Sequence, residues 1–372
     1  MQNRRFHLIR TFVLTNKSLV LLLVALIFTL ALFYLPKISE MFVEHVYETS
    51  IYPVVRWIQY NTFARSSING FVLLIMIIGF YYSYLFYWLF KNRLTGIHKM
   101  KVITGLINPF IYIVILFYWC WGFHYKGSAL TSKIDLDVKT LNEKALREEV
   151  GHTLNTILSL RVEMGIDSIS SITESGFDFT EQVDLNSIGA EVISQEFGLL
   201  YYGPARVRPF YPKGLLYRLN TSGFYNPITG ECNYEEAMHI IQQPFVKAHE
   251  WCHAQGITDE GDANFLAYLI CLHADDLTSR YSAHVVYWRY LLYDAKRNFP
   301  EFYDTARDNI PTGLKKDLVE IRAAMNAYPE LMPRTRDFIY DTYLKTHGID
   351  DGMESYNRLV KMVVAYKRAK RI

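Results

Sequence analysis

The sequence predicts a mainly α-helical protein with a small β hairpin or sheet, in which N-terminal transmembrane helices precede a larger soluble domain. Three observations predict this fold. Long uncharged apolar runs occupy the first third of the chain, apolar residues recur at helical spacing over much of the remainder, and turn residues separate short aromatic runs between residues 215 and 233. Hydrophobic residues make up 51% of the 372 residues, which is rich for a soluble protein and agrees with a membrane-embedded part.

Three apolar segments in the first third each have the length needed to cross a bilayer. They cover residues 19–36, 70–90 and 102–123. The first segment is long, lacks an A-x-A cleavage site and is followed by further apolar segments. We therefore interpret it as a retained anchor and not as a signal peptide.

The charges of the loops predict the orientation of these segments. Basic residues lie before the first segment and in the short loop between the second and third, namely Arg4, Arg5, Arg10, Lys17, Lys91, Arg93, Lys99 and Lys101. The loop at residues 37–68 has mixed charge. The positive-inside rule predicts a cytoplasmic N-terminus, so three crossings place the chain after Tyr125 outside the cytoplasm. We expect a membrane domain at residues 1–125 and an extracytoplasmic domain at residues 126–372.

The second domain is expected to be largely helical. Apolar spacing predicts helices at residues 142–164, 281–298, 337–344 and 353–370. Strand and hairpin character is found at residues 215–219, 223–227 and 229–233. The segment at residues 204–212 is rich in Arg and Pro, and we expect Arg206 and Arg208 to face solvent.

Overall charge and cysteine content exclude some functions and leave others open. The formal net charge is only +2, and no basic run is interleaved with stacking aromatics, so no nucleic-acid partner is expected. The four cysteines form no C-x-x-C pair. A disulfide from Cys232 to Cys252 or Cys271 is compatible with the sequence, which does not decide it.

An H-E-x-x-H motif at residues 249–253 is the most informative feature of the chain. On a helix, His249 and His253 lie one turn apart on the same face, so their imidazoles can share one Zn²⁺. Glu250 lies beside them, where it can take a proton from a zinc-bound water. Gly256 then provides a natural helix stop. The motif therefore supplies two metal ligands and a general base.

A catalytic zinc site needs a third protein ligand, and two acidic residues compete for that role. Asp259 falls three residues after Gly256, the H-E-x-x-H-x-x-G-x-x-D spacing of some metzincin-like proteases. Glu260 begins a segment that resembles the E-x-x-A-[DN] third-ligand segment of gluzincin-type membrane peptidases, and we favour Glu260. Asp262 is expected either to hold a ligand histidine by its other ring nitrogen or to cap the helix. Asn264 is expected to fix the helix by hydrogen bonds.

The aromatic segment just before the motif is a candidate substrate-binding edge. In zincin-type enzymes the edge of such a strand can pair with an extended peptide. Pro227 fits an edge strand better than a central one. The candidate edge residues are Phe224, Tyr225 and Asn226, and the alternative is a hairpin that only packs on the motif helix.

Three segments together carry a family resemblance, at residues 223–231, 244–256 and 260–269. They read G-F-Y-N-P-I-T-G-E, P-F-V-K-A-H-E-W-C-H-A-Q-G and E-G-D-A-N-F-L-A-Y-L. The chain resembles the uncharacterised bacterial membrane family known as domain of unknown function 3810, and the resemblance covers most of its length. The position before Ala263 is usually Glu in that family and is Asp262 here, whereas Glu260 matches the pattern.

The resemblance implies a zincin-like metallopeptidase behind N-terminal spans in a bacterial cytoplasmic (inner) membrane. In a gluzincin-type domain, His249, His253 and Glu260 would hold Zn²⁺. Glu250 would act as general base on a zinc-activated water that hydrolyses a peptide bond.

Expected partners are a peptide or protein substrate and membrane lipid, and the sequence determines neither the substrate nor the oligomeric state. The candidates for stabilising the oxyanion are Tyr225, Tyr281 and His284. The alternative function is a non-catalytic membrane protein that uses the zincin fold as a structural or sensing module. The intact Glu250 argues against that alternative, because a purely structural zinc site needs no base.

Overall fold

The computed structural model describes residues 17–91, 96–179, 184–331 and 358–370. Over these residues the fold is mainly helical with one small three-stranded sheet, as the sequence predicts.

The chain folds as two compact units. Residues 1–127 and 227–230 form the first, and residues 128–226 and 231–372 form the second. The extracytoplasmic location of the second unit stays a prediction.

The first unit contains α1 (Lys17–Tyr34), α2 (Pro36–Phe42), α3 (Tyr52–Gln59), α4 (Gly70–Lys91) and α5 (Gly96–Cys120), π-helical segments at Val43–Ile51 and Tyr60–Ala64, and a 3₁₀ segment at Gly122–Lys126. Among the described residues, α1, α4 and the part of α5 from Val102 to Cys120 are the three helices long and apolar enough to cross a membrane. This confirms the predicted apolar helices. Pro36 separates α1 from α2, because the residue before a proline avoids the helical conformation.

Residues 36–64 are helical without a break, whereas the sequence predicts a loop at residues 37–68. A buried row of side chains runs along this helical stretch. Tyr47 and Tyr52 both pack against His124, with ring centroids 5.0 and 4.2 Å apart. The interval of five residues between the two tyrosines matches the π-helical stretch, which keeps both on one face. Charged residues such as Glu44, Glu48 and Arg56 lie among the apolar residues, so the sequence pattern does not indicate this helix.

Two buried polar side chains of α3 bind the turn at residues 227–230. Arg56 Nη1 donates hydrogen bonds to the Gly230 carbonyl at 3.1 Å and to Gln59 Oε1 at 3.0 Å. Gln59 Nε2 donates to the Pro227 carbonyl at 2.7 Å. These contacts explain why the turn belongs to the first unit.

The second unit contains ten described helices and three described strands. They are, in chain order, α6 (Leu130–Lys133), α7 (Glu143–Glu163), α8 (Leu185–Ala190), β1 (Val207–Phe210), α9 (Leu215–Arg218), β2 (Gly223–Asn226), β3 (Glu231–Glu235), α10 (Gln243–Ala254), α11 (Glu260–His273), α12 (Leu277–Asn298), α13 (Pro300–Asp308), α14 (Thr312–Asn326) and α15 (Arg358–Lys370), with a π-helical segment at Glu191–Glu196 and a 3₁₀ segment at Ile240–Gln242.

The long predicted helices of this unit are confirmed where they are described. Helix α7 corresponds to the helix predicted at residues 142–164. The Asn142 side chain caps it by accepting from the Ala145 N–H, and Gly165 ends it with a φ of 70°. Helix α12 covers the prediction at residues 281–298 and begins four residues earlier. Helix α15 is the described part of the last predicted helix, and the helix predicted at residues 337–344 lies outside the described residues.

The sheet has the strand order β1-β3-β2, so β3 is central and β2 lies at one edge. β2 and β3 form an antiparallel hairpin with Tyr225 opposite Cys232, as predicted. β1 runs parallel to β3 and was not predicted, because Pro209 lies inside it and a proline fits only an edge strand. The expectation that Arg208 faces solvent is wrong. Its guanidinium is buried and forms an ion pair with Glu231 at 3.1 Å.

The strand character assigned to residues 215–219 is also wrong, because α9 forms there. The Glu235 carboxylate accepts hydrogen bonds from the backbone N–H groups of Gly214 at 2.6 Å and Leu216 at 2.9 Å. These N–H groups belong to the first turn of a helix and have no partner within it. A carboxylate distant in sequence therefore decides the local structure.

Trp251, inside the H-E-x-x-H motif, determines how α10 is rotated about its axis. It projects from the face roughly opposite His249 and His253 and is fully buried. Its Nε1 donates to Asn186 Oδ1 at 2.9 Å. Gly189 of α8 lies so close that a Cβ there would come within 2.4 Å of the indole ring. Packing on one face thus directs the two histidines to the other.

We expect Gly189→Ala to destabilise the protein by about 1–3 kcal/mol, because the added methyl group overpacks Trp251. Gly151→Ala in α7 is the matched control, because no atom lies within 4 Å of its Cβ position. That control should be neutral or stabilising by up to about 1 kcal/mol. Thermal unfolding of the detergent-purified full chain measures both variants, and equal effects would contradict the packing argument.

Candidate metal centre

Helices α10 and α11 carry the candidate ligands, and a tight turn joins them. Pro244 lies in the first turn of α10, where its missing N–H costs nothing. Gly256 ends α10 with a φ of 77°, which a residue with a side chain rarely adopts. Asp259 then caps α11 by accepting from the Asp262 N–H at 3.0 Å. Glu260 therefore lies in the first turn of α11, against α10.

This turn brings three potential ligand atoms together. The Nε2 atoms of His249 and His253 are 3.1 Å apart. Glu260 Oε2 lies 3.1 Å from the first and 3.8 Å from the second. Two atoms bound to one tetrahedral Zn²⁺ at 2.0–2.1 Å are separated by roughly 3.3 Å. The observed separations bracket that value, so the three side chains fit one small cation.

Each histidine has a different arrangement at its other ring nitrogen. His253 Nδ1 lies 2.7 Å from the Ile257 carbonyl, which places the proton on Nδ1 and leaves the Nε2 lone pair directed at His249 and Glu260. His249 Nδ1 is buried and has no hydrogen bond of normal geometry among the described residues. The backbone carbonyl of Ile257 thus orients the ring of His253.

Glu260 determines the electrostatics of the histidine pair. Burial lowers the pKa of His249, but the hydrogen bond and charge of Glu260, together with the charge of Glu250, outweigh it and raise the pKa overall. Burial lowers the pKa of His253, which the charge of Glu260 only partly offsets. Without a cation, a proton therefore favours His249 over His253.

Glu250 is buried beside the ligand cluster, and its Oε2 has no hydrogen-bond partner among the described residues. Burial and the charge of Glu260 raise the pKa of Glu250 to about 8, against the opposing effect of His249. Gly223 of β2 leaves room for this carboxylate, because a Cβ there would lie 2.6 Å from Oε1. A buried carboxylate with an unused oxygen is costly unless a cation or proton compensates it.

The other two acids of the cluster are directed away from the histidines. Arg358 of α15 contacts Asp259 Oδ2 at 3.1 Å and Asp262 Oδ1 at 3.5 Å. Asp262 Oδ2 also accepts from the Leu130 N–H at 3.4 Å. Burial raises the pKa of both carboxyls, and Arg358 opposes that shift. The structure thus brings Glu260, and not Asp259, to His249 and His253, and gives Asp262 contacts other than a histidine ring.

Asn264 links the ligand helix to a tyrosine that the sequence reasoning did not identify. Its Nδ2 donates to Tyr290 Oη of α12 at 3.3 Å. Asn264 is one helical turn beyond Glu260, so the hydroxyl of Tyr290 lies close to the candidate ligands. No local pattern could have indicated this contact, because Tyr290 is one of 28 tyrosines and lies 26 residues after Asn264.

The predicted edge residues Phe224, Tyr225 and Asn226 form β2, whose first residue, Gly223, contacts Glu250. Two other oxyanion candidates have different environments. Tyr281 Oη donates to Asp317 at 2.7 Å and accepts from Arg161. His284 packs against the ring of Tyr268. None of the four cysteines, all of which are described, forms a disulfide.

The family described as Protein of unknown function (DUF3810) matches residues 47–364. The chain belongs to the DUF3810 family. No curated protein and no solved structure matches it.

The match to DUF3810 begins at residue 47 in the first unit and ends at residue 364 in α15. It therefore includes the sheet, α10 and α11. The candidate centre therefore lies wholly inside the family region. Within this region Asp262 contacts Arg358 and the Leu130 N–H.

We expect Glu260→Ala to weaken binding of a divalent metal by more than the roughly 10- to 100-fold that loss of an outer contact costs. Asp259→Ala should keep the metal, because this residue caps α11 and contacts Arg358. Metal content by inductively coupled plasma mass spectrometry, after dialysis against zinc, measures both. Thermal unfolding checks that the loss of the cap, about 1 kcal/mol, leaves the protein folded. Metal lost only in Asp259→Ala would contradict the assignment.

Proposed function

We propose that this DUF3810 protein is a membrane-anchored zinc-dependent metallopeptidase with a gluzincin-type zincin-like domain. One observation carries the proposal. Glu250, a buried carboxylate with an unused oxygen, lies beside a cluster of His249, His253 and Glu260 whose ligand atoms fall within 4.8 Å of one another. A structural metal site needs no such acid, whereas hydrolysis needs a base at this place.

His249, His253 and Glu260 would hold Zn²⁺, and their side chains are each about nine-tenths buried. The donor set of two neutral imidazoles and one carboxylate is a usual one for a catalytic zinc, and it leaves one position open. When bound, Zn²⁺ supplies Lewis acidity that polarises a carbonyl and lowers the pKa of a water molecule.

Glu250 would act as the general base. Its carboxylate accepts a proton from the attacking water and passes it to the leaving amine, which requires the ionised form at the start of the reaction. In the absence of a cation, burial keeps the pKa of Glu250 near 8. Positive charge at the adjacent ligand cluster favours ionisation, so a loaded site has the base ready at neutral pH.

Strand β2 would bind the substrate backbone. Ser222 accepts a hydrogen bond from the Glu235 N–H at 2.8 Å, so these two residues form a hydrogen-bonded pair of the antiparallel ladder. Alternation then directs the N–H and C=O groups of Gly223 and Tyr225 away from β3. An extended peptide added at this edge would lie next to Glu250. The side chains of Phe224 and Asn226 would project from the face of β2 opposite to that of Gly223 and Tyr225.

The location we propose is a bacterial cytoplasmic membrane, with α1, α4 and α5 as three spans and the second unit outside the cytoplasm. The basic residues between the second and third apolar segments support this orientation. A C-terminal epitope tag should then be digested by protease added to intact spheroplasts, whereas an N-terminal tag should resist until the cells are lysed. The reverse pattern would contradict the proposed orientation but would not bear on the proposed roles of His249, Glu250, His253 and Glu260.

We expect Glu250→Gln to lower peptide cleavage by roughly 100- to 10,000-fold and to leave zinc content unchanged, because the ligands are intact and only the base is lost. The measurement is cleavage of a fluorogenic peptide library by the zinc-loaded full chain. Glu163→Gln, at an exposed site on α7, is the matched control and should be as active as the unsubstituted protein.

Equal cleavage by Glu250→Gln and by the unsubstituted protein would contradict the mechanism. A protein that binds zinc firmly and cleaves no peptide would favour the non-catalytic alternative, a structural or sensing module.

A further inference from the structure

The turn between β2 and β3 is bound by two side chains of α3. Gln59 Nε2 donates to the Pro227 carbonyl at 2.7 Å and to the Ile228 carbonyl at 3.4 Å. Arg56 Nη1 donates to the Gly230 carbonyl at 3.1 Å. Three of the four carbonyl groups of the turn therefore accept from these two side chains. All of these bonds lie within the first unit, to which the turn belongs.

Arg56 and Gln59, which we call the α3 clamp, are buried and hydrogen-bonded to each other. They are 2% and 3% exposed, and Arg56 Nη1 donates to Gln59 Oε1 at 3.0 Å. That bond fixes which end of the Gln59 amide faces the turn, because only the NH₂ group is a donor. Gly230 has a φ of 70°, and a Cβ there would lie 2.5 Å from Arg56 Nη1. The close approach therefore requires glycine at this position.

The chain on either side of this turn is the hairpin that carries the proposed substrate edge. The ladder ends with Asn226 opposite Glu231, the two residues that flank the turn. At the other end of β2, a Cβ at Gly223 would lie 2.6 Å from Glu250 Oε1. Four residues of strand span about 13 Å and carry few ladder bonds. Whatever holds the turn therefore also limits how far β2 moves relative to Glu250.

We propose that Arg56 and Gln59 are positioning residues that keep β2 in place as the binding edge for substrate, and that the substrates are extended segments of polypeptide recognised through their backbone. This rests on the proposed peptidase function. A peptide that pairs with an edge already held in place loses less binding energy to ordering that edge. Pairing through backbone N–H and C=O groups requires an extended segment and demands little of its side chains.

A role in positioning differs measurably from a role in general stability. The candidate ligands lie on α10 and α11, and their order depends on the packing of Trp251 and on the turn at Gly256. Loss of the α3 clamp should therefore weaken peptide pairing and leave the metal centre intact. Loss of a residue that only stabilises the fold would weaken both together.

The test measures binding by calorimetry in the zinc-loaded, detergent-purified full chain that carries Glu250→Gln, so that bound peptides are not consumed. The first probe is an acetylated, amidated hexapeptide of alternating threonine and alanine. The second is the same hexapeptide with alternate backbone amides methylated, and the third is acetohydroxamic acid, which binds zinc alone. We expect the methylated hexapeptide to bind roughly tenfold or more weakly than the first, because methylation removes donors needed for pairing.

The added substitution Arg56→Gln should weaken binding of the unmethylated hexapeptide about tenfold. Zinc content and acetohydroxamic acid binding should stay unchanged. Arg56→Lys should keep part of the affinity, because it retains a charged donor. Arg65→Gln, at an exposed position six residues after Gln59, is the matched control and should keep the full affinity. If Arg56→Gln fails to fold, Gln59→Met removes the bonds to the turn at similar volume and should weaken the hexapeptide severalfold.

Hydrogen exchange gives a second readout that needs no ligand. In Arg56→Gln, the backbone amides of β2 and β3 should exchange about tenfold faster, because the hairpin opens locally more often. The amides of α10 and α11 should exchange at the same rate as in the protein with the clamp intact.

Unchanged hexapeptide binding in Arg56→Gln would overturn the positioning role. Equal binding of the methylated and unmethylated hexapeptides, or no binding of either with the clamp intact, would overturn recognition through the backbone. Parallel loss of hexapeptide and acetohydroxamic acid binding in Arg56→Gln would indicate a general structural role and would overturn the proposal as well.

These outcomes are separable from the proposed function. A chain with Glu250 intact that cleaves the hexapeptide with the same KM before and after Arg56→Gln would be a peptidase that does not use the α3 clamp. A chain that binds the hexapeptide in a manner dependent on Arg56 and cleaves no peptide would have the edge without the activity.

Discussion

The packing of α10 against α11 is the constraint on which the candidate centre depends. The three candidate ligand atoms come from two helices, His249 and His253 from α10 and Glu260 from α11, and protein contacts alone bring them together. Trp251 fixes the rotation of α10 from its rear face, Gly256 reverses the chain, and Asp259 sets where α11 begins. A rotation of α10 by one residue, about 100°, would turn both histidines away from Glu260. The site is therefore preorganised by the core of the second unit.

Three neighbouring acids have three different roles, and charge balance explains the division. Arg358 compensates Asp259 and Asp262, so these two serve as a cap and as a contact to the chain before α7. Glu260, between them in sequence, projects to the histidines instead. Glu250 remains buried with an unused oxygen, and a divalent cation nearby would reduce the cost of that burial.

Sequence patterns predicted best those elements whose cause is local. Uniform apolar composition identified the three long helices, and turn residues identified the hairpin of β2 and β3. Prediction failed where a distant partner decides the structure. Glu235 turns residues 215–218 into a helix, Glu231 buries Arg208, and the aromatic residues around His124 order the helix after Pro36. Tyr290 carries no local signal, because its contact with Asn264 of α11 is made only in the tertiary fold.

The sequence by itself determined the pair of histidines, the glutamate beside them and the membership of the DUF3810 family, because four-residue spacing on a helix and a family pattern are both local properties. Only the tertiary structure decided which acid meets the histidines. Asp259 and Glu260 are adjacent in the chain, and a residue at a helix cap and one in the first turn point in different directions. That difference of direction depends on where α11 begins and on the ion pair of Asp259 with Arg358. Arg358 lies more than 90 residues after Asp259, so no rule of sequence spacing predicts the contact.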